Sequence, residues 1–296
     1  MSNRTQAVKL DGCLSSVIAI LSGVPQGSVL GPILFVLFIN DLVDCFKNLA
    51  VSTKLFADDL KLYTSYGLTD SSCDLTEALH RVTVWAKKWQ LTINSTKCNV
   101  LRIVNPRCKN KSDIVYDLNG SSLKVLSVVK DLGVAVDKNL RFDNHISSVV
   151  HKSLQRANLI LKCFQSRDRS LLMKAFKVYV RPLLEYATPV WSPHFMYLIL
   201  KIEHVQRSFT KRLFGLKNLT YIDRLKQLEI DTLEHRRLIY DLCTCFKIIH
   251  GYNDTCLDMN RMHLEGRPNN TRGHNLKLAK EMCRTDMLRF FFCNRI

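Results

Sequence analysis

The sequence lacks any apolar run long enough to cross a bilayer. The longest run, residues 29–39, is interrupted by Gly31 and Pro32, and it is far shorter than the roughly 20 residues that a membrane-spanning helix needs. The polar amino terminus also lacks the apolar core of a secretory signal. These absences predict a cytoplasmic or nuclear protein that is not secreted and does not contact a membrane.

Paired cysteines are absent as well. The chain has 11 cysteines, an odd number, and none of them are spaced as Cys-X-X-Cys. This pattern disfavours both a disulfide framework and a zinc knuckle. We expect the cysteines to be reduced and to be buried as small apolar side chains.

Acidic residues are scarce in the second half of the chain. The net charge is +17. Residues 1–137 carry 15 basic and 12 acidic residues, whereas residues 138–296 carry 28 and 14, a net charge of +14. A balanced part followed by a basic part is typical of a catalytic module followed by one that holds a polyanion. The alternative is that the additional basic residues only keep the surfaces of exposed helices hydrated.

Two adjacent aspartates, Asp58 and Asp59, interrupt a β-prone apolar stretch. Neither arm beside them contains glycine or proline, which predicts a β-hairpin with the aspartates at its tip. Neighbouring carboxylates repel, and burial against Phe56 and Leu60 would raise the cost of ionising both. A divalent cation would offset that cost, since Mg²⁺ prefers hard oxygen ligands. The alternative is an ordinary turn in which the aspartates bond their own main chain.

A loop rich in glycine and proline lies about thirty residues before the aspartates. Residues 22–32 have the sequence SGVPQGSVLGP. Ser28 is a candidate helix N-cap, and the apolar residues after it recur at helical spacing. Such a turn lets backbone approach a nucleotide or a nucleic-acid strand closely, although many loops merely begin a helix.

Together, the SGVPQGSVLGP and FADD segments resemble the reverse transcriptases of non-LTR retrotransposons, in particular the jockey-like group. The resemblance implies RNA-directed DNA polymerisation, in which a primer 3′-OH attacks the α-phosphate of a dNTP. Metal ions stabilise the attacking and leaving oxygens in such a reaction. The implied partners are an RNA template, a DNA primer or RNA–DNA hybrid, and dNTPs. The implied cofactor is Mg²⁺, with Mn²⁺ as a substitute.

The resemblance also implies roles for individual residues. Asp58 would coordinate the metal directly and Asp59 would support it. Four further residues would position template and nucleotide: Pro25, Gln26, Gly27 and Lys97. Two others, Leu132 and Gly133, resemble the primer grip. Two plainer alternatives remain open: a solvated lysine at Lys97, and a packing strand with a bulge at Gly133.

One feature of the family is not found. Its members carry a third catalytic aspartate before the loop, and Asp11, the acidic residue that precedes the loop here, lies in a turn context. We therefore expect a chain cut at both ends, without fingers, that is inactive alone. The alternatives are a non-catalytic nucleic-acid-binding remnant and a phosphodiester-cleaving enzyme. The second is disfavoured because further carboxylates and histidines are lacking near the aspartate pair.

The predicted fold class is α+β. Residues 1–137 would form a partial polymerase palm, an antiparallel sheet with packing helices, and residues 138–296 an all-helical thumb and extension. Trp85 and Trp89 are four residues apart in a predicted helix, where packing is favoured over base stacking. Helices are predicted near residues 71–90, 143–165, 169–186, 195–213 and 233–250.

Overall fold

The computed structural model describes residues 3–24, 27–65, 71–103, 114–252, 278 and 282–296. Within these residues the chain forms two compact units. The first draws on Met1–Val100 and Asn110–Lys124, and the second on Leu101–Lys109 and Val125–Ile296. The units divide at residue 124, before the functional boundary at residue 137 that the sequence predicts. That functional division remains a prediction.

The strands are short and form hairpins. The strands are β1 (Arg4–Gln6), β2 (Lys9–Leu10), β3 (Cys13–Leu14), β4 (Ile18–Ile20), β5 (Ser52–Phe56), β6 (Asp59–Tyr63), β7 (Asn99–Leu101), β8 (Asp117–Leu118), β9 (Ser121–Ser122), β10 (Lys124–Leu126), β11 (Val128–Asp131) and β12 (Val134–Asp137). In the first unit, β1 pairs with β4, β2 with β3, β5 with β6 and β8 with β9. In the second unit, β11 pairs antiparallel with β12.

The mixed helix-and-sheet class is confirmed, but the sheet differs from the predicted one. Every sheet among the described residues has two strands rather than forming one continuous antiparallel sheet. The strands are two to five residues long, so each hairpin presents a small apolar face. In the β5–β6 hairpin that face packs on helices, and no third strand is needed to bury it.

Two helices and a 3₁₀ segment pack against two hairpins of the first unit, β5–β6 and β8–β9. Helix α1 (Leu30–Ile39) continues into a 3₁₀ helix (Asn40–Phe46), and α2 (Ser71–Lys88) follows the β5–β6 hairpin. Pro32 is accommodated because it lies in the first turn of α1, where its missing N–H has no intrahelical partner. The buried cluster of this region combines Ile39, Leu42, Phe46, Ala78, Val82, Trp85 and Ala86.

Long helices dominate the second unit. The helices are α3 (Asp143–Cys163), α4 (Arg169–Ala175), α5 (Arg181–Glu185), α6 (Thr188–Trp191), α7 (Met196–Lys211), α8 (Tyr221–Leu228), α9 (Leu233–Ile249), α10 (Asp286–Arg289) and α11 (Phe292–Arg295). The predicted helices at 143–165, 195–213 and 233–250 are confirmed with small shifts at their ends. The short helices α6, α8, α10 and α11 were not predicted.

The predicted helix at 169–186 forms with a change of pitch. A π-helical segment, Phe176–Val180, joins α4 to α5. Pro182 lies in the first turn of α5. In a regular α-helix its ring would clash with the carbonyl of Val178 and leave that carbonyl without a donor. A π turn before the proline relieves this conflict, so the helical path continues instead of breaking.

One large apolar cluster lies at the centre of the second unit. It includes Val134 of β12, Ile146 of α3, and Phe176, Trp191 and Phe209, all almost completely buried. The rings of Phe176 and Phe209 stack at 4.7 Å, an arrangement that contributes about 0.5–1.5 kcal/mol beyond burial of area. This core therefore ties the β11–β12 hairpin to the helices.

The expectation of buried cysteines is wrong for most of the described thiols. Nine cysteines are described and none of these nine forms a disulfide; Cys245 is buried, whereas Cys13, Cys73, Cys163 and Cys243 are exposed. The reason is that these four occupy solvent faces of short strands and amphipathic helices, where pattern rather than residue type decides burial.

Among the described residues, no helix has the length and apolar character to cross a membrane.

Candidate functional site

The β5–β6 hairpin places the two aspartates as predicted. Phe56 pairs with Asp59 across the strands, so the loop consists of Ala57 and Asp58. Ala57 has a φ of 50°, because a two-residue hairpin loop requires a positive φ that follows the twist of the strands. The loop conformation costs about 1–2 kcal/mol for a residue with a Cβ. Leu55, paired with Leu60, anchors the other side of the hairpin on the core of the first unit.

The expected burial of the aspartates is wrong. Asp58 and Asp59 are both exposed, and Phe56 is 64% exposed. The strands alternate between a core face and a solvent face, and Phe56 and Asp59 lie together on the solvent face. Side chains that share the solvent face of a hairpin cannot bury one another.

Two lysines share the solvent face with Asp59. Lys54 and Lys61 are directly paired across the strands and both are exposed. Like charges at directly opposed positions are destabilising. The face thus carries carboxylates at its tip and two ammonium groups further along.

The aspartate pair has the right donor chemistry for a hard divalent cation but forms only part of a ligand set. Carboxylate oxygens suit Mg²⁺, which usually keeps several waters and one or two carboxylates. No group of three or more His, Cys, Asp or Glu side chains suited to a metal occurs within the described residues. Asp11 lies in the turn between β2 and β3, with a φ of 47°.

The loop before α1 is only partly described. Pro25 and Gln26 lie outside the described residues. Gly27 has a φ of 77°, which glycine adopts without strain. Ser28 Oγ accepts a hydrogen bond from the Gly31 N–H at 3.0 Å, but the N-cap of α1 is Val29, one residue after the predicted Ser28. The loop therefore enters α1 through a left-handed glycine and a serine that bonds to the first helical turn.

Lys97 lies in a capped turn of the first unit. It ends a 3₁₀ helix, Ser95–Lys97, whose Asn94 side chain accepts a hydrogen bond from the Thr96 N–H at 3.1 Å. The lysine side chain is exposed. Within the described part of the chain, no ion pair joins it to Asp58 or Asp59. The structure thus fixes the backbone of Lys97, and its contact with phosphate stays a prediction.

Leu132 and Gly133 form a hairpin turn, so the alternative of a single strand with a bulge is wrong. They connect β11 to β12, and Asp131 pairs with Val134 across the turn. Their φ angles are 43° and 89°. Both central residues of a type I′ turn need positive φ, and leucine is costly there because its side chain crowds the backbone. The pair lies in the second unit, whereas the aspartates lie in the first.

Asp41, to which no sequence motif pointed, organises the aromatic residues of α2. Asp41 Oδ1 accepts a hydrogen bond from Trp85 Nε1 at 3.0 Å, and Oδ2 accepts one from Trp89 Nε1 at 3.1 Å. Trp85 is buried, and Phe38 meets Trp89 edge to face at 5.1 Å. The prediction that the tryptophans pack rather than stack on bases is confirmed for these contacts.

A buried polar network in the second unit also escaped sequence analysis. Glu203 accepts hydrogen bonds from the Tyr221 hydroxyl and from the Leu233 N–H. Burial and the hydrogen bond to Glu203 raise the pKa of Tyr221, and burial lowers the pKa of the Arg237 guanidinium. These groups join α7, α8 and α9, and they have a structural role.

Residues 2–139 match the family model described as reverse transcriptase (RNA-dependent DNA polymerase). The matched region contains the loop before α1, the aspartate hairpin and the Leu132–Gly133 turn. Residues 2–139 therefore match a reverse transcriptase domain, a class whose members use divalent metal ions. No solved structure matches the chain.

Proteins similar in sequence to this chain indicate which group of reverse transcriptases it resembles. The chain is 33% identical over 223 residues to the RNA-directed DNA polymerase from mobile element jockey of Drosophila funebris, covering 72% of this chain and 24% of that protein. It is 28% identical over 224 residues to the jockey polymerase of Drosophila melanogaster, covering 73% and 24%. It is 26% identical over 196 residues to the Pol polyprotein from type-1 retrotransposable element R1 2 of Nasonia vitripennis, covering 62% and 45%.

The domain is thus homologous to the RNA-directed DNA polymerases of non-LTR retrotransposons, and it resembles those of jockey-like elements. The chain spans about a quarter of the length of the jockey relatives it matches. This homology favours a polymerase domain over the alternatives of a phosphodiester-cleaving enzyme and a non-catalytic remnant.

Proposed function

We propose that this chain contributes the metal-binding hairpin and part of the nucleic-acid-binding surface of an RNA-directed DNA polymerase. The observation that carries the proposal is the position of Asp58 and Asp59. They lie side by side at the exposed end of a register-fixed hairpin, within the region that matches the reverse transcriptase family.

The aspartates would hold Mg²⁺, with Asp58 as the direct ligand and Asp59 in support. Asp58 lies in the loop itself, so its carboxylate projects beyond the last strand pair, whereas Asp59 begins β6 opposite Phe56. The bound metal would stabilise the attacking and leaving oxygens of nucleotidyl transfer. Strand pairing fixes the backbone of Asp59, next to Asp58 in the loop, independently of the metal.

The proposed substrates are an RNA template, a DNA primer and dNTPs. Lys54 and Lys61 on the hairpin face, and Lys97 in its capped turn, offer ammonium groups to nucleotide phosphates. In this proposal residues 1–137 act as a partial palm and residues 138–296 as a thumb with an extension. The net charge of +14 in the second segment supports contact with a phosphate backbone.

Metal titration of thermal stability tests the proposal. A cation that binds only the folded state at ten times its Kd stabilises that state by about 1.4 kcal/mol, which raises the melting temperature by roughly 2–5 °C. We expect this shift in the parent chain with Mg²⁺ and with Mn²⁺. Asp58→Asn should remove most of it, and Asp59→Asn should reduce it less.

Asp11→Asn provides the matched control, since Asp11 is also an exposed aspartate of a hairpin turn in the first unit. It should leave the metal-dependent shift unchanged. An equal shift in all four proteins, or none in the parent, would show that Asp58 and Asp59 are only turn residues.

A further inference from the structure

The turn at the end of the β11–β12 hairpin is held in a conformation that its sequence disfavours. Leu132 has a φ of 43°, in the region that large side chains avoid. Its side chain is 44% exposed, so no deep burial of the leucine accounts for the conformation. Residues in such conformations persist where surrounding contacts fix them, and they concentrate at functional sites.

Tyr186 supplies contacts that fix this turn. Its hydroxyl donates a hydrogen bond to the Leu132 carbonyl at 2.9 Å, across 54 residues of sequence. A Cβ at Gly133 would lie 3.4 Å from Tyr186 Cε1, so the tyrosine ring lies against the glycine backbone. Tyr186 thus contacts both residues of the turn, one through its hydroxyl and the other through its ring edge.

The backbone of Tyr186 is itself fixed to the core. Its carbonyl accepts a hydrogen bond from Trp191 Nε1 at 2.8 Å, and Trp191 is 1% exposed. The Tyr186 N–H donates to the Pro182 carbonyl at 3.0 Å, which ends α5. The tyrosine side chain therefore reaches the hairpin from a rigid corner between α5 and α6.

Trp191 is also connected to the hairpin through His145. The His145 ring meets the Trp191 ring edge to face at 5.2 Å, and His145 Nδ1 accepts a hydrogen bond from the Ala135 N–H of β12 at 3.2 Å. The contacts form a closed circuit that runs from the turn through Tyr186, Trp191 and His145 back to β12. A hairpin held at its tip and along one strand cannot tilt unless one of these contacts breaks.

We propose that Tyr186 is a positioning residue that sets the orientation of the Leu132–Gly133 turn toward the primer terminus. The inference rests on the proposed polymerase function and on the resemblance of this turn to the primer grip of the family. The exposed leucine and the turn backbone would meet the terminal sugar and phosphate. Tyr186 touches neither, and it acts by fixing the turn.

Hydrogen exchange of the full chain tests the anchor without nucleic acid. Tyr186→Phe keeps the ring and deletes the hydrogen bond to Leu132. We expect the amides of residues 131–135 to exchange about two- to tenfold faster, as loss of one hydrogen bond allows. Tyr179→Phe is the matched control, because Tyr179 is also more than half exposed and its hydroxyl makes no hydrogen bond within the described residues. Equal exchange in the two variants would overturn the proposal.

A second variant tests whether the disfavoured φ at Leu132 makes the anchor necessary. Asparagine adopts positive φ far more readily than leucine. Adding Leu132→Asn to Tyr186→Phe should therefore restore slow exchange at the turn. Continued fast exchange would contradict the argument from backbone conformation.

Primer-end fluorescence tests the positioning role. An RNA–DNA hybrid carries 2-aminopurine at the primer 3′ end and a fluorophore for anisotropy at the far end. Tyr186→Phe should keep the Kd within twofold of the parent but lose at least half of the 2-aminopurine response, whereas Tyr179→Phe keeps both. An unchanged 2-aminopurine response in Tyr186→Phe would overturn the positioning role. A parent chain that binds no hybrid would refute the proposed function and the role at the primer, and hydrogen exchange would still decide whether Tyr186 holds the turn.

Discussion

The two units of the chain bury their side chains in different ways. In the first unit, short hairpins and two helices share small apolar clusters, and α1 leaves Ile33 and Leu37 more than half exposed. In the second unit, helices of up to 21 residues surround one large cluster. The aspartate hairpin therefore rests on a small core, whereas the Leu132–Gly133 hairpin rests on a large one.

The units also differ in where they place polar groups. Among the described residues, all the buried polar and charged side chains belong to the second unit, including Glu203, Arg237 and Asp241. Arg295 reaches Asp241 with hydrogen bonds of 2.8 and 3.0 Å. Breaking such a buried pair is costly because the partner keeps an uncompensated charge. Buried hydrogen bonds therefore fix polar side chains in the second unit, whereas the charged side chains of the first unit stay at the surface, available to solvent and ligands.

The largest expected effect is a loss of folding stability. It is compared between the units by replacing one tryptophan in each with alanine. Trp191→Ala should cost about 3–5 kcal/mol, since the side chain is completely buried in the core. Trp89→Ala should cost about 1–2 kcal/mol, because Trp89 is 38% exposed and loses part of its burial and one hydrogen bond. Urea unfolding followed by circular dichroism measures both. Equal costs would contradict the assigned difference in burial between the two tryptophans.

The next effect concerns affinity for nucleic acid. If the full chain makes four to six phosphate contacts, the logarithm of its affinity for an RNA–DNA hybrid should fall with the logarithm of salt concentration with a slope of roughly −3 to −5. Neutralising Lys152 and Lys162 on α3 should reduce the slope by up to about 2. Neutralising Lys87 and Lys88 on α2 is the matched control in the first unit. If the control reduces the slope equally, the basic excess of the second segment has no special role.

A smaller effect separates the two hairpin glycines. Gly133 and Gly120 both have positive φ, 89° and 73°, but only an added Cβ at Gly133 meets a neighbour, Tyr186. Gly120→Ala should cost about 1 kcal/mol from backbone strain alone. Gly133→Ala should cost slightly more, because its added Cβ would touch the Tyr186 ring at 3.4 Å. Thermal unfolding compares the two, and a cost at Gly120 as large as that at Gly133 would argue against the close contact of Tyr186 with the turn.

The smallest effect is a dependence on pH confined to the second unit. Burial and, less strongly, Lys152 lower the pKa of His145. The unfolded state, with a histidine pKa of about 6.5, therefore binds more protons than the folded state. Stability is fully present above about pH 6.5 and is lost as the pH falls through the folded pKa. His194, whose pKa burial also lowers, contributes in the same direction.

His145→Asn isolates this contribution, because an amide oxygen can accept the Ala135 N–H without titrating. Melting temperatures at pH 7.5 and pH 5.0 should differ less in this variant than in the parent. His151→Gln is the control, since His151 is exposed on the same helix. A parent-like pH response in His145→Asn would contradict the assigned role of the buried imidazole.

Local patterns predicted most elements because each pattern is satisfied within a few residues. The apolar stripes of α2, α3, α7 and α9 have helical spacing over four or more turns. Asp58 and Asp59 were placed at their hairpin for the same reason. Lys97 was located in its turn, but its ligand contacts stay a prediction. Short helices such as α6 and α8 escaped because four to eight residues carry too little periodicity.

The family resemblance, the α+β class, the aspartate hairpin and the difference in charge between the two segments could all be read from the amino-acid sequence, because each depends on residues that are close in the chain. The exposure of the aspartates, the pairing of the strands two by two and the hydrogen bond from Tyr186 to Leu132, 54 residues away, became visible only in the folded structure. Such contacts depend on which faces the helices bury against one another. The physical reason is that a sequence pattern determines which face of a helix or strand is apolar. Packing among the elements then determines which other element that face contacts.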